Sequence, residues 1–407
     1  MGTDISFVIE RKCKNCYIVI MFQFMAVCAL GLEKVLGNEI KKAGWSIMES
    51  DSGRVFFQGP ENVIYSGNLR LRTCDRIFLV PARFKARDFD QLFEGIRAVD
   101  WQDYFKKNTR IVIDKVRINY SKLNSQKAVQ KVAHKAVYDK LCNLWGMNSL
   151  PESGEKCDIR LHLEKDVVTV LLDLSGAPLN RRGYRKDGGE APIRETLAAA
   201  LILLMNWKRK IPLHDPFCGS GTFAAEAALY ACNAAPGLGR SFGFENLAVF
   251  NKDLYKEEWI KAASEIRTDC LYRITGSDIS QEAVLRSRLN VEHAMVTAGR
   301  ALQAIGSDNR LPRPEFIQSD FRDLQAPFEQ GMIITNPPYG ERLGDREEAI
   351  KLYEDMQCLK TNFKGWALGL ITLQEDFPVY FGKKEEKKRQ VKDGNLETFF
   401  FKYNNLG

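Results

Sequence analysis

Histidine is scarce in this chain: there are four in 407 residues, and none clusters with the ten cysteines. Only Cys13 and Cys16 form a CxxC pair. Without a second pair, regular spacing assembles no four-ligand zinc set, so no metal site is expected. The scattered cysteines read as reduced thiols of a cytoplasmic protein. Internal repeats and low-complexity tracts are also lacking, which leaves no sign of a solenoid or a biased tail. The one long apolar run, Tyr17 to Leu30, is broken by Gln23 and follows Arg11, Lys12 and Lys14. It is short for a membrane span and has no clear small-residue cleavage site. It reads instead as a buried strand from about Met21 leading to a helix near Gly31, with residues 1–20 as an extension ahead of a start at Met21.

What is present is globular: 45% hydrophobic and 27% charged residues over a length that implies two or three domains. The net charge of +7 and pI of about 8.8 permit nucleic-acid binding without requiring it. Three zones follow. Residues 21–75 read as strand, helix (Leu32 to Ala43) and a hairpin through Asp51-Ser52-Gly53. Residues 76–180 are basic and mixed. Arg110 to Ile118 alternates as a strand, and Ser125 to Leu141 carries one helical apolar stripe with Ser125 placed as its cap. Residues 181–407 alternate strands with helices, which argues an α/β domain with a doubly wound parallel sheet. Its strands end at Asp215, Asp278, Asp320 and Asn336, and a fifth spans Ala367 to Thr372. Phe377 to Phe381 and Leu396 to Tyr403, with a lysine-rich loop between them, read as a closing antiparallel hairpin. The stretch Glu292 to Pro314 has no assigned role.

The strand before Asp215 leads into Pro216-Phe217-Cys218-Gly219-Ser220-Gly221-Thr222 and then a helix. Glycines here permit a sharp turn and close ligand approach. A dinucleotide fingerprint would have a third glycine, but Ala224 occupies that position, and the next strand-end acid, Asp278, lies far downstream. Phosphate binding is therefore disfavoured. S-adenosylmethionine fits better, because it has no phosphate and its positive groups suit Asp215. Asp278 is placed to accept from both ribose hydroxyls. Asp320 is placed to accept from the adenine amine, with Phe321 beside the ring. Each Asp alone could equally be a helix cap; together, at successive strand ends, they point to a cofactor.

Asn336-Pro337-Pro338-Tyr339 follows the fourth strand. The two prolines stiffen the turn and lack N–H groups, which leaves carbonyls free to face a pocket. The Asn336 oxygen, which also borders the cofactor, and the Pro337 carbonyl can accept both hydrogens of one exocyclic amine. That would localise its lone pair toward a sulfonium methyl. Tyr339 offers a face for stacking the target base. The loop alone does not separate guanine from adenine, or RNA from DNA.

Between Tyr104 and Leu141 there are ten Lys or Arg and two acids. Lys127, Lys131 and Lys135 recur opposite the apolar stripe, an arrangement suited to a phosphate backbone. Arg181, Arg182 and Arg185 lie near the domain junction, where they would bridge RNA to the active site. Lys383 to Lys392 is a second basic run that fits a substrate contact or a solvated loop equally well.

With these motifs assembled, the C-terminal part resembles class I methyltransferases of the amino-methylating type. Gly183-Tyr184-Arg185, Ala191 to Thr196, Glu226, Ala235 to Leu238 and Arg240-Ser241-Phe242 resemble the bacterial 23S ribosomal RNA guanine-N2 methyltransferase family. The upstream zone, notably Ser121-Lys122-Leu123-Asn124-Ser125, resembles its RNA-binding THUMP domain behind a ferredoxin-like domain. The resemblance implies a Rossmann-like methyltransferase domain, S-adenosylmethionine as cofactor and ribosomal RNA as substrate. It brings Glu226 into the cofactor set and implies that the segment 183–196 closes over the cofactor. The RNA contacts it leads us to expect are Lys122, Lys127, Lys131 and Arg185. A transfer RNA guanine-N2 enzyme, a DNA adenine-N6 enzyme and a silent RNA-binding factor are the alternatives.

Overall fold

The computed structural model describes residues 8–10, 19–185, 192–270, 272–338, 345–394 and 396–407. Alternating apolar segments build a first sheet. Its elements are β1 (Val8–Glu10), β2 (Val19–Val27), α1 (Glu33–Lys42), β3 (Ser46–Asp51), β4 (Arg54–Gly59), α2 (Val63–Arg70), β5 (Arg76–Lys85), α3 (Phe89–Arg97), β6 (Arg110–Asn119), α4 (Gln126–Trp145), β7 (Lys156–Glu164) and β8 (Val167–Asp173). The strand order is β3-β4-β2-β5-β8-β7-β6, with β1 paired to β2. In β2, Phe24 and Ala26 enter the main core, while Met25 joins Phe56, Phe78, Val80 and Leu171 on the other face. That is the period of two at work. Strand β5 pairs with β2 over Arg76 to Leu79 and with β8 over Phe78 to Lys85, so it belongs to both halves of the sheet. In α4, Val129, Ala133, Ala136, Val137 and Leu141 are buried, and Ser125 Oγ accepts from the Ala128 amide at 3.3 Å.

The second sheet follows α5 (Glu195–Leu204). It comprises β9 (Leu213–Asp215), α6 (Thr222–Ala231), α7 (Lys252–Ser264), β10 (Ile274–Asp278), α8 (Gln281–Ala304), β11 (Glu315–Gln318), β12 (Met332–Thr335), α9 (Asp345–Asp355), α10 (Leu359–Asn362), β13 (Ala367–Thr372), α11 (Phe377–Phe381), β14 (Lys387–Asp393) and β15 (Leu396–Tyr403). The order is β11-β10-β9-β12-β13-β15-β14; the first five are parallel, and the last two run antiparallel. Strand order reverses at β9, so β10 and β12 flank it, and the crevice beyond its carboxyl end is the expected ligand position.

Two expectations are corrected. Phe377–Phe381 is a short helix, because Phe377 and Phe381 are four apart and both buried on one helical face. The hairpin partner of β15 is the lysine-rich stretch itself, as β14. It is an edge strand that buries Val391 and exposes Lys387 and Lys388, and lysine on an edge discourages pairing with other chains. Glu292 to Pro314, given no role from the sequence, divides into helix and loop. Its first half completes the 24-residue α8, and the loop behind is tied back by Arg313 to Glu292 at 2.7 Å and by the Tyr272 hydroxyl donating to Pro312 O.

One buried apolar cluster runs from Phe24 to Phe400, through both sheets. Polar contacts reinforce the junction. Arg194 reaches Asp75 at 2.9 Å and Asp393 at 2.6 Å, and the Gly237 amide donates to Leu69 O. Among the described residues no helix is long and apolar enough to cross a membrane.

Candidate active site at the carboxyl edge of the second sheet

Parallel register sets the depth of each strand-end acid. Asp215 lies beside Gly276, so Asp278 stands two residues beyond it. Ile333 lies beside His214, so Thr335 reaches past the end of β9. The Thr335 hydroxyl donates to Asp215 Oδ1 at 2.7 Å, and the Phe217 amide donates to the same oxygen at 3.2 Å. Burial pushes the Asp215 carboxyl up to about 7, with the nearby Asp278 charge adding to the rise and the two hydrogen bonds opposing it. Among the described residues no basic side chain forms an ion pair with it.

The glycine loop is held from two sides. Gly219 donates to Asp278 Oδ2 at 3.0 Å, and the Ser280 amide donates to Asp278 Oδ1 at 3.0 Å. From α8, Ser287 Oγ donates to Gly219 O and Asn290 Nδ2 donates to Ser220 O, both at 3.0 Å. Gly221 has φ +74°, and a Cβ there would lie 3.0 Å from Ser287 Cα. Gly219 has φ +51°, yet a Cβ there would meet nothing nearer than Phe217 O at 3.9 Å. Gly221 is therefore required by packing against α8, and Gly219 faces open space.

Asp320 caps a short turn, accepting from the Arg322 amide, and its two oxygens also take the Arg322 guanidinium at 3.0 and 2.6 Å. These bonds hold its carboxyl below the usual range. Phe321 is buried, its ring 5.0 Å from that of Phe217. Beyond β12, Asn336 is half-buried, Pro337 buried and Pro338 exposed. The Pro338 carbonyl accepts from Tyr353 OH at 3.4 Å, and that hydroxyl also meets Thr372 Oγ1 at 2.8 Å. Tyr339 lies outside the described residues.

The segment around residue 185 is placed differently from its sequence assignment. Arg185 has only 13% of its side chain exposed and reaches Glu195 at 2.7 Å, Ile193 O at 3.1 Å and Thr222 Oγ1 at 3.5 Å. A guanidinium so occupied braces the glycine loop and is poorly placed to meet RNA. Arg182 is buried too, 3.5 Å from Glu226, and of the trio Arg181 alone is exposed. Glu226, one turn along α6 from Thr222, accepts from the Tyr184 hydroxyl at 3.0 Å. The carboxylate expected to touch the cofactor thus has the 182–184 segment as its partner. Lys122, Lys127 and Lys131 are all exposed, far along the chain from this crevice on the β6–α4 side of the first sheet. Among the described residues no group of three or more His, Cys, Asp or Glu is arranged to hold a metal; Cys13 and Cys16 lie outside them.

Sequence reasoning missed Thr335, Ser287, Asn290 and Tyr184. A signal existed for three. Thr335 is the one hydroxyl in an otherwise apolar strand, and Ser287 and Asn290 are polar residues three apart on the buried face of α8. Tyr184 gave none beyond its motif.

The family described as the RMKL-like methyltransferase domain matches residues 182–401. The RlmL ferredoxin-like domain matches residues 23–78, and the THUMP domain residues 86–173. YpsC of Bacillus subtilis, named as a candidate RNA methyltransferase, is 35% identical over 94% of this chain and 96% of its own length. The ribosomal RNA large subunit methyltransferase K/L of Photobacterium profundum is 33% identical over 94% of this chain. This chain spans about half the length of that relative, 53%. Among solved structures, SMU.472, described as a candidate methyltransferase complexed with SAH, aligns over 95% of this chain and 98% of its own with TM-score 0.83 and 33% identity. A Listeria monocytogenes protein, titled by prediction an N6-adenine-specific DNA methylase, aligns over 94% of this chain and 96% of its own with TM-score 0.84 and 34% identity. The chain belongs to the RMKL-like methyltransferase family, with an RlmL-type ferredoxin-like domain and a THUMP domain ahead of its methyltransferase domain.

Proposed function

We propose that this chain is a cytoplasmic S-adenosylmethionine-dependent RNA methyltransferase acting on the exocyclic N2 of a guanine in large-subunit ribosomal RNA. The observation that carries the reading is the 2.7 Å bond from Thr335 to Asp215, which joins the acid of the cofactor crevice to the strand that presents Asn336. Bound there, the cofactor supplies an electrophilic methyl on a sulfonium. The crevice fits it. Asp215 is a buried carboxylate with no basic counterion among the described residues, suited to an ammonium, and the space over Gly219 admits a ligand at backbone distance. Asp278, fixed by Gly219 and Ser280, keeps lone pairs for the ribose hydroxyls. Phe217 and Phe321 offer apolar faces to the adenine, and the adenine amine would compete with the exposed Arg322 for Asp320. Arg185, Glu226 and Tyr184 act as positioning residues that hold residues 182–185 and the start of α5 beside the glycine loop.

Asn336 Oδ1 and the Pro337 carbonyl accept the two amine hydrogens, so the nitrogen lone pair points at the methyl carbon. Tyr353 fixes the loop from below through Pro338. The carbon–nitrogen bond would form as the methyl–sulfur bond breaks, with S-adenosylhomocysteine as the leaving group and the amine proton lost afterwards, so no strong base is required. Tyr339 stacks the extruded base. Lys122, Lys127 and Lys131 hold the RNA backbone at the THUMP domain. Ribosomal RNA is supported by the K/L relatives, and guanine by the family resemblance. The deciding experiment incubates the protein with methyl-labelled cofactor and separated ribosomal RNA, transfer RNA and DNA, then identifies the labelled nucleoside. N2-methylguanosine in large-subunit RNA is expected. N2-methylguanosine in transfer RNA would move the substrate, and N6-methyladenine in DNA would overturn the reading.

A further inference from the structure

We propose that Tyr120 is a stacking platform for an unpaired RNA nucleobase, with Lys122 taking a flanking phosphate; this deepens the RNA reading above and rests on it. Tyr120 follows the last residue of β6 and is 88% exposed, more than any other large hydrophobic residue among those described. Its φ is +47°, a left-handed conformation that a bulky side chain rarely adopts. A ring held out in solvent on such a backbone recovers nothing by packing, so intramolecular stability does not account for it.

The loop that displays the ring is rigidly tied. Ser121 Oγ donates to Asn119 O at 3.0 Å and accepts from the Asp166 amide at 3.1 Å. The Lys122 amide donates to Asp166 Oδ1 at 2.8 Å, and Lys165 N donates to Asn119 O at 3.2 Å. Tyr120 is thus presented from a fixed base, which lowers the ordering cost of binding.

Beside it lies an open hollow of about 490 Å³ lined by Tyr120, Ser121, Lys122, Asn124, Gln126 and Asp166. The exposed amides of Asn124 and Gln126 can meet a base edge. Asp166 is the one acid in the lining, and Arg87 Nε stands 3.3 Å from its carboxylate while remaining 63% exposed. With that charge offset, the exposed Lys122, Lys127 and Lys165 leave the surface positive. An exposed aromatic among unpaired cations suits single-stranded RNA, whose bases are free to stack. A blunt duplex offers the same phosphates with its bases already stacked.

The test measures binding of the full chain to two RNA probes, a blunt hairpin and the same hairpin with a short single-stranded 3′ extension. The wild-type protein is expected to prefer the extended probe. Tyr120→Ala should reduce that preference by about tenfold, within the range seen when a stacking aromatic is removed, and leave the blunt hairpin unaffected. Tyr120→Phe should retain the preference. Tyr120→Gly, which suits the left-handed backbone, should match the alanine variant without loss of thermal stability, so misfolding cannot mimic the effect. If the protein binds both probes but the alanine and glycine variants keep full preference, the platform is wrong and the RNA reading survives. Failure of the wild-type protein to bind either probe overturns both.

Discussion

The two loop glycines make opposite demands, and replacing each by alanine separates packing from ligand approach. Both have positive φ, so either methyl costs roughly 1–2 kcal/mol of backbone strain. At Gly219 nothing more is added, because the nearest neighbour of a Cβ is 3.9 Å away. For a domain of this size, that loss lowers the melting temperature by about 2–8 °C. At Gly221 the methyl meets Ser287 Cα and Cβ at 3.0 Å and its carbonyl at 3.1 Å. The obstacle is helix backbone, which yields poorly, and overpacking adds about 1–3 kcal/mol more. Gly221→Ala should therefore melt well below Gly219→Ala. The order reverses when ligand response is compared. S-adenosylhomocysteine at about 100 times its Kd stabilises a binding-competent protein by about 2.7 kcal/mol. A Gly219 methyl projects into the space the ligand should fill; a tenfold loss of affinity would cut that gain to about 1.4 kcal/mol. Thermal unfolding with and without the ligand, backed by titration calorimetry, reads both quantities. A Gly219→Ala protein with the full ligand-induced shift would show that the cofactor does not pass over this residue. Equal melting of the two ligand-free variants would show that α8 gives way.

Three further outcomes are expected. Because the folded Asp215 carboxyl titrates near 7 rather than at 3.8, the native protein keeps a proton that the unfolded chain has released. Ligand-free stability should fall as pH rises through that window and level off above it, while affinity for S-adenosylhomocysteine rises by up to about tenfold per unit until pH 7. Asp215→Asn should flatten both curves, and a flat wild-type profile in calorimetry would sink the assignment. Asn336→Ala should lower kcat by about 10²–10³; single-turnover methyl transfer at saturating cofactor checks this, and an unchanged rate would remove Asn336 from the amine site. Replacing Lys127 and Lys131 together by Ala should weaken RNA binding and reduce its salt slope by about one per lysine, with cofactor binding untouched. An unchanged RNA affinity would return that helix face to plain solvation.

Much of the fold could be read from period and punctuation. The α4 stripe, the Ser125 cap and the five parallel strands each follow from residues close in sequence. The misreadings fell where distant partners decide. Lys387–Asp393 has the composition of a loop, but β15 supplies hydrogen bonds that make it a strand. Phe377 to Phe381 has the residues of a strand, but its two buried rings lie four apart. The same limit governs the site. Strand-end acids announce themselves through order along the chain, whereas the role of Arg185 depends on Glu195 and Thr222. No local pattern shows a guanidinium already taken.

The strand shared between the two N-terminal parts has a mechanical meaning. β5 is hydrogen-bonded into the ferredoxin-like half at one end and the THUMP half at the other, and Arg194 fastens its leading residue Asp75 to the second sheet. These ties leave little freedom between the described parts. On the proposed RNA reading, an RNA gripped beside α4 would meet the Asn336 loop at a set reach, as by a caliper. Target choice would then be a matter of span: a nucleotide lying that distance from the gripped element would arrive in the crevice, whatever the intervening sequence.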